Sequence, residues 1–385
     1  MEVLVLLDIM KYERFLRKRL DSLLFRGKAI LLIGARQVGK TTLLENLIMR
    51  KESAMWLNAD FNTVRDRLTN PSLDSLKNII GEYEIVVLDE IQRIPNAGLL
   101  LKILVDNFKE VQFIATGSSA LEISDTVFEP MTGRVFVFHL YPLSLAEIYP
   151  KLSAFEIEEK LPFHLVYGNY PEVVVNRDMS GIILKNLTQQ YLYKDVLVWK
   201  NIRKPELLDK LLKLLAYQIG SEVSINELAK QLHVKSETIE SYIDLLEKSF
   251  VIFRLKSYSN NPRKEVSKMS KIVFWDNGVR NAIIEDFRDL ANRNDHGFLF
   301  ENFMIAERMK MNAWVNPDAK SYFWRDYNKR EVDYVEVNNK QVSAYEMKWS
   351  TKKKHRVTKA FTNLYSDAST EVITPENFRN FTHQQ

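Results

Sequence analysis

Residues 29–48 read AILLIGARQVGKTTLLENLI. Within them Gly34, Gly39, Lys40 and Thr41 stand in the spacing GxxxxGK[ST], fed by the apolar run Ala29 to Ile33 and followed by Leu43, Leu44 and Leu47 at helical spacing. A strand, a glycine-bearing loop and a helix start are what a phosphate-gripping turn needs. Glycine lets the backbone of Gly34, Ala35, Arg36, Gln37, Val38 and Gly39 curl so that its N–H groups point at phosphate oxygens, and the helix start adds a favourable dipole. Lys40 is placed to reach the β and γ phosphates, the Thr41 hydroxyl to ligate Mg²⁺, and Thr42 to complete the nucleotide-contacting run. A chance glycine-rich turn is the weaker reading of so specific a spacing.

A working nucleotide hydrolase also needs a carboxylate at the end of a neighbouring strand. YEIVVLDEIQRIPN, residues 83–96, supplies one after the apolar run Ile85 to Leu88. Asp89 is the candidate for the Mg²⁺ shell, and Glu90 the candidate to polarise the attacking water. A third strand-like run, VQFIATGSS at 111–119, ends in hydroxyls where a polar sensor of the γ-phosphate belongs. Thr116 and Ser118 both qualify, and an N-cap or turn role is the bland alternative. Arg134, in MTGRVFVFHLYPLS, is a candidate arginine finger acting in cis or from a neighbouring subunit, although a lone arginine before a strand is more often a surface residue. Alternation of strands and helices from 29 to 140 predicts a parallel sheet covered on both faces, with nucleotide at its carboxyl edge.

The totals set the surroundings of this domain. At 385 residues the chain is too long for one ordinary core, and 46% hydrophobic with 27% charged residues is the balance of a globular protein. A formal charge of +4, from 54 basic and 50 acidic residues, makes nucleic-acid binding a matter for local clusters. The absence of cysteine excludes disulfides, thiolate metal sites and cysteine nucleophiles, and fits a cytoplasmic address. The opening MEVLVLLDIM reads as a short strand or extension, and no membrane span is expected, because no run approaches roughly 18 uncharged apolar residues.

Beyond residue 141 the pattern is helical to about 215, through LPFHLVYGNYPEVV and ILKNLTQQYLYKDVLVW, with Gly168 and Pro171 marking a tight loop. A lid beside nucleotide and a plain linker subdomain are equally good readings. Residues 224–255, SINELAKQLHVKSETIESYIDLLEKSFVIFRL, predict a winged helix: Ser224 and Glu227 form a capping box, the first helix ends near His233, Ser236 caps the second, and FVIFRL follows as a strand. The second helix exposes Glu237, Glu240, Asp244 and Glu247. Carboxylates are repelled from a phosphate-lined groove, which favours a connector or protein-contact role over base reading. The basic stretches KSYSNNPRKEVSKMSK and TKKKHRVTKAF, the latter with Lys352, Lys353, Lys354, Arg356 and Lys359, are candidate phosphate contacts or solvated faces.

Near the end, REVDYVEV and QVSAYEMK read as a hairpin turning around Asn338 and Asn339. Alternation puts Asp333, Glu346 and Lys348 on one face, and Val332, Tyr334, Tyr345, Met347 and Trp349 on the other. Two carboxylates can hold Mg²⁺ while a lysine orients water for attack on a phosphodiester. Glu301 falls near the apolar stripe of Phe298, Ile305 and Met309 in HGFLFENFMIAERMK; it is a candidate to complete the acid shell from the adjoining helix, a rim position where the side chain reaches water being the bland alternative. On residues alone this D…ExK pattern is a weak signal, common on solvated hairpins.

Taken in order, GARQVGKTTLL, VVLDEIQRIPN, FIATGSSA, TGRVFVFHLYPLSLAEI, YGNYPEVV, EVDYVE and AYEMKWS resemble a widespread family of prokaryotic AAA-type ATPases. Its C-terminal domain, long labelled of unknown function, resembles PD-(D/E)xK nucleases. The resemblance implies an α/β chain with a P-loop NTPase parallel sheet at 1–140, a helical lid or connector at 141–215, a winged-helix module at 216–265 and a restriction-endonuclease-like α/β domain at 266–385. It implies ATP and Mg²⁺ as cofactors, and strengthens Arg134 as a finger. Two functions compete: ATP control of a domain that binds or cleaves DNA or RNA, and a signalling or chaperone-like switch whose C-terminal domain binds a partner protein. A homo-oligomer is compatible with either.

Overall fold

The computed structural model describes residues 12–49, 53–118, 130–189, 205–259, 270–350 and 355–383. The run MEVLVLLDIM, the second half of ILKNLTQQYLYKDVLVW, most of KSYSNNPRKEVSKMSK, and Lys352, Lys353 and Lys354 lie outside the described residues, so the readings placed on them stay expectations. One compact unit runs to Tyr141 and also takes in Lys248–Phe250; the other comprises Pro142–Glu247 and the chain from Val251 onward.

The first unit is built on a five-stranded sheet of β1 (Ala29–Ile33), β2 (Ala54–Asn58), β3 (Ile85–Asp89), β4 (Gln112–Gly117) and β5 (Val135–His139) in the order β2-β3-β4-β1-β5. Every pair is parallel. The three central strands are buried at every position, which suits the apolar runs of β1 and β3, while edge strands β2 and β5 are half-buried. β4 separates β1 from β3, so one extra strand lies between the phosphate loop and its acidic partner strand. The helix Lys40–Ile48 leaves the loop and buries Leu43, Leu44 and Leu47, each contributing about 1.5–3 kcal/mol by removal from water.

The second unit opens with short helices, two of them started by capping boxes, Ser144 with Glu147 and Ser153 with Glu156. The helix Ala154–Tyr167 ends at Gly168, whose φ of +68° favours glycine; a β-carbon there would lie 2.0 Å from Asp276 Oδ1. Pro205–Tyr217, β6 (Glu222–Val223), Ile225–Gln231, Ser236–Lys248, β7 (Ile252–Ser257) and β8 (Ser270–Phe274) then follow as helix, strand, two helices and two antiparallel strands. Ser224 accepts a hydrogen bond from the Glu227 N–H at 3.3 Å. Ser236 is the first residue of its helix instead of its cap, and its hydroxyl donates to Asn226 Oδ1. The carboxylates of the second helix are partly neutralised: Arg254 on β7 pairs with Asp244 at 2.5 Å and Glu247 at 3.1 Å.

The remaining strands are β9 (Lys320–Arg325), β10 (Glu331–Asn338), β11 (Gln341–Met347) and β12 (Ser369–Ile373), and the seven form one sheet in the order β12-β11-β10-β9-β7-β8-β6. β7 pairs with β9 in parallel, so the cut expected at 265/266 runs through a single sheet. The long helix His296–Val315 is buried from Leu299 to Glu307 without interruption. That corrects the expected stripe. Phe298 is 47% exposed, while Glu301, Glu307 and Lys310 are buried.

Burial of polar groups in this unit has a titration consequence. His164 is fully buried, with Nδ1 2.6 Å from Asn169 Oδ1 and Nε2 2.9 Å from the Tyr149 hydroxyl. Loss of hydration holds its pKa down to about 3, and the nearby Arg177 and Lys310 charges depress it further. Because the folded value lies below the ordinary one of 6.5, its contribution is complete above pH 6.5 and is lost as pH falls toward 3. Urea unfolding is expected to lose about 2 kcal/mol from this residue between pH 6 and pH 4. His383, held down to about 4 mainly by burial, adds in the same direction. In His164→Gln the slope should flatten by about one proton; an unchanged slope would show that His164 does not carry it.

Candidate functional site

The phosphate loop lies at the carboxyl edge of the first sheet. Gly34 crosses against Leu140 so closely that a β-carbon would fall 2.2 Å from the Leu140 carbonyl oxygen, and Gly39 starts the following helix at a φ of 92°. Lys40 is buried and its Nζ donates to the carbonyls of Gly34, at 2.8 Å, and Ala35, at 3.0 Å. A residue that sequence reasoning passed over braces the loop: Arg14, from the segment before the sheet, donates to the Val38 carbonyl at 2.9 Å and the Tyr141 carbonyl at 2.7 Å.

At the same edge β3 ends in Asp89, buried, and Glu90, whose backbone takes the left-handed conformation with φ 53°. Thr116 Oγ1 donates to Asp89 Oδ1 and accepts from the Glu90 N–H at 3.1 Å. Gln92 donates to Glu90 Oε2 at 2.5 Å and to Ser118 Oγ at 3.2 Å. Thr116 and Ser118 therefore both belong to the polar network, Thr116 bonded directly to Asp89 and Ser118 reaching Glu90 only through Gln92. Glu45, one turn beyond Thr41, has its pKa raised by burial and by the Asp89 charge. Two carboxylates that repel each other beside a threonine hydroxyl fit a divalent cation. Glu45 was legible as Thr41 plus four on a helix, but nothing marked it against other glutamates.

Arg134 stands elsewhere. It precedes Val135, which pairs with Ala29 at the amino-terminal end of β1, whereas the loop follows Ile33. It therefore lies at the edge of the sheet opposite the loop of its own chain, ion-paired with Asp106 at 2.8 Å.

In the second unit the hairpin pairs Tyr334 with Tyr345 and Asn338 with Gln341, and continuing that register sets Asp333 opposite Glu346. The turn residues are Asn339 and Lys340, at φ 47° and 73°, one position later than expected. Lys348 Nζ lies 2.7 Å from Glu346 Oε1 and 3.5 Å from Asp333 Oδ2, and Asp333 Oδ2 also accepts from the Met347 N–H at 2.7 Å. Asp333, Glu346 and Lys348 are brought together. Strict alternation fails beside them, because Val332 pairs with Trp324 but Val335 with Tyr322, leaving Asp333 and Tyr334 opposite Phe323 alone. This bulge lets Val332 and Val335 share one core cluster, while Tyr334 contacts Asn312 and Glu336.

Sequence reasoning missed two members of the cluster. Lys271 on β8, 1% exposed, is bonded to Glu301 Oε1 at 2.7 Å and to Glu331 Oε1, and carboxylate oxygens of Glu301, Glu331 and Asp333 lie within 4.8 Å of one another. Burial pushes the Glu301 pKa up despite the opposing Lys271 charge. Glu346 is pushed up by burial and then by Asp333, and its buried Oε2 has no hydrogen-bond partner among the described residues. Surrounding carboxylates hold Lys271 charged against its own loss of hydration. Glu331 sits two residues before Asp333, so alternation offered it. Lys271 carried no signal, since its partners lie 30 and 60 residues away.

Residues 26–149 match a family model described as an AAA domain. Residues 158–294 and 296–382 match two models described as domains of unknown function, DUF8612 and DUF4143. An uncharacterized protein of Mycobacterium tuberculosis is 27% identical over 328 residues, covering 84% of this chain and 70% of its own length. One of Methanocaldococcus jannaschii is 27% identical over 330 residues, covering 74% and 69%. Among solved structures, Drosophila ORC bound to AT-rich DNA and Cdc6 has a TM-score of 0.27 at 12% identity, over 73% of this chain and 93% of that one. A signal transduction ATPase with a tetratricopeptide repeat sensor from Pyrococcus horikoshii also scores 0.27, at 15% identity over 77% and 47%. Both likenesses are too distant to inform the fold. The sheet order, the loop and the family match together define residues 26–149 as an AAA-type P-loop domain.

Proposed function

We propose that this chain is a Mg²⁺-dependent ATPase whose nucleotide state is coupled to a nuclease-like C-terminal domain. The observation that carries the first half is the meeting of Lys40, Asp89 and Glu90 at one sheet edge. Thr41 and Asp89, with Glu45 beside them, would hold Mg²⁺, which would supply charge neutralisation for the phosphates. Lys40 exchanges its loop carbonyls for phosphate oxygens, and Glu90, fixed by Gln92, accepts the proton of the attacking water. Arg134 serves as a finger only in trans, which ties that role to a homo-oligomer.

In the C-terminal domain Asp333 and Glu346 would hold a divalent ion, Glu346 Oε2 having no hydrogen-bond partner among the described residues, and Lys348 would orient water toward a phosphodiester of DNA or RNA. Glu301, expected as a further metal ligand, lies within 4.8 Å of Glu331 and Asp333 by its carboxylate oxygens, and its Oε1 accepts from Lys271. That ammonium favours a second reading, a switch whose C-terminal domain binds a partner protein, because it already offsets carboxylate charge that a nuclease would spend on metal. The two readings separate in one experiment. Purified protein with Mg²⁺ or Mn²⁺, with and without ATP, is expected to cut at least one of single- or double-stranded DNA and RNA, and Asp333→Ala to lose that cleavage to background while keeping ATP turnover. If every substrate stays uncut and unbound, the second reading stands.

A further inference from the structure

Two open clefts of the second unit, about 700 Å³ and about 430 Å³, share Pro162 and Trp349 and so run on from one another. Their walls are aromatic and fixed. Tyr167 stacks on Phe287 at 5.6 Å, and Trp349 meets Phe300 edge-on at 5.7 Å. Their rim is acidic: Glu158, Glu159, Glu376 and Asp289 line the two clefts, and among the described residues neither lysine nor arginine lines them. The nearby Arg177 lies over the Phe163 ring but is bonded to the Tyr149 hydroxyl. A second feature points the same way. Pro162 sits inside the helix Ala154–Tyr167 and has no N–H, so the Glu158 carbonyl lacks its helical donor at the cleft edge.

We infer that this groove docks an extended basic segment of a partner protein, with arginine or lysine on the carboxylates and an apolar residue against Trp349. Four carboxylates and a spare carbonyl are all acceptors, which match the donor-only guanidinium and ammonium groups. The same rim repels phosphate, so single-stranded nucleic acid, which the aromatic wall alone would suit, is disfavoured. Rigid walls lower the ordering cost of binding. Trp349 follows Lys348 in the chain, so an occupant rests one residue from the carboxylate–lysine cluster. The inference stands whether or not that cluster cleaves nucleic acid.

The test uses the full chain and three fluorescein-labelled probes: a peptide alternating arginine with proline and leucine, its glutamate-for-arginine counterpart, and oligothymidine. Anisotropy should saturate with the basic peptide only, and weaken as salt is raised. The double variant Glu158→Lys, Glu159→Lys and, separately, Trp349→Phe should each weaken binding, the charge reversal by about tenfold or more. Both glutamates are partly or fully exposed, and thermal melts by circular dichroism check that each variant is folded. Absence of saturable binding overturns the inference. So does equal binding of both peptides, binding that neither variant changes, or oligothymidine competing for the site. Self-association abolished by the charge reversal would overturn it as well, by assigning the groove to a second copy of the chain.

Discussion

Lys40→Met is expected to abolish ATP turnover, by about 10³-fold or more, the scale of loss when one preorganised charge is taken from a phosphoryl-transfer centre. Methionine keeps an unbranched, flexible apolar side chain but removes the ammonium that the structure aims at the Gly34 and Ala35 carbonyls. Those carbonyls belong to the loop backbone, so the wild-type lysine is held over the loop and needs little reordering to meet phosphate oxygens. Loss of two charge-assisted hydrogen bonds from a buried site also costs stability, about 1–3 kcal/mol each at most. Nucleotide binding by fluorescence titration and a thermal melt therefore accompany the turnover assay. A folded variant that turns over ATP at the wild-type rate would refute the assignment of the loop.

Legibility in the sequence followed the range of the interactions. The phosphate loop, Asp89 and Glu90 are fixed by short segments whose spacing is itself the chemistry, and the parallel sheet followed from buried strands that read as continuous apolar runs. The hairpin was readable to within one residue, because alternation sets which side chains share a face. It failed where a bulge placed Asp333 and Tyr334 opposite one residue, a local insertion that composition does not announce. Arg134 was legible as an arginine before a strand, but not as lying at the strand's remote end, since that depends on β5 pairing in parallel with β1. Long-range partners were invisible. Arg14 meets a carbonyl 127 residues away, and Glu307 accepts from the Leu145 N–H across 162 residues. The continuous burial of Leu299 to Glu307 was hidden for a related reason: Glu307 breaks the apolar pattern, and its partners Lys310 and the Leu145 N–H are what let it be buried.

Lys271→Met should be the most destabilising of the single changes considered, by about 3–5 kcal/mol, because it strips the buried cation from Glu301, leaving that charge uncompensated, and leaves Glu331 with only the longer Arg325 pair at 3.7 Å. The cost has an unusual remedy. Once the ammonium is gone, oxygens of Glu301, Glu331 and Asp333, within 4.8 Å of one another, form a hard-oxygen set open to a divalent cation. Adding Mn²⁺ or Mg²⁺ should then raise the melting temperature of the variant well above any shift in the wild type, as mass action requires of a ligand that binds only the folded state. Wild type and variant responding alike to metal would mean that Lys271 does not occupy a cation's place. A loss of under about 1 kcal/mol would instead mean that Glu301 takes up a proton and sits neutral without it, since a protonated carboxyl needs no counter-charge. The experiment thus measures how much of the cluster's negative charge is reserved for a resident lysine and how much remains for metal beside Asp333 and Glu346, which is the quantity on which cleavage or partner binding turns.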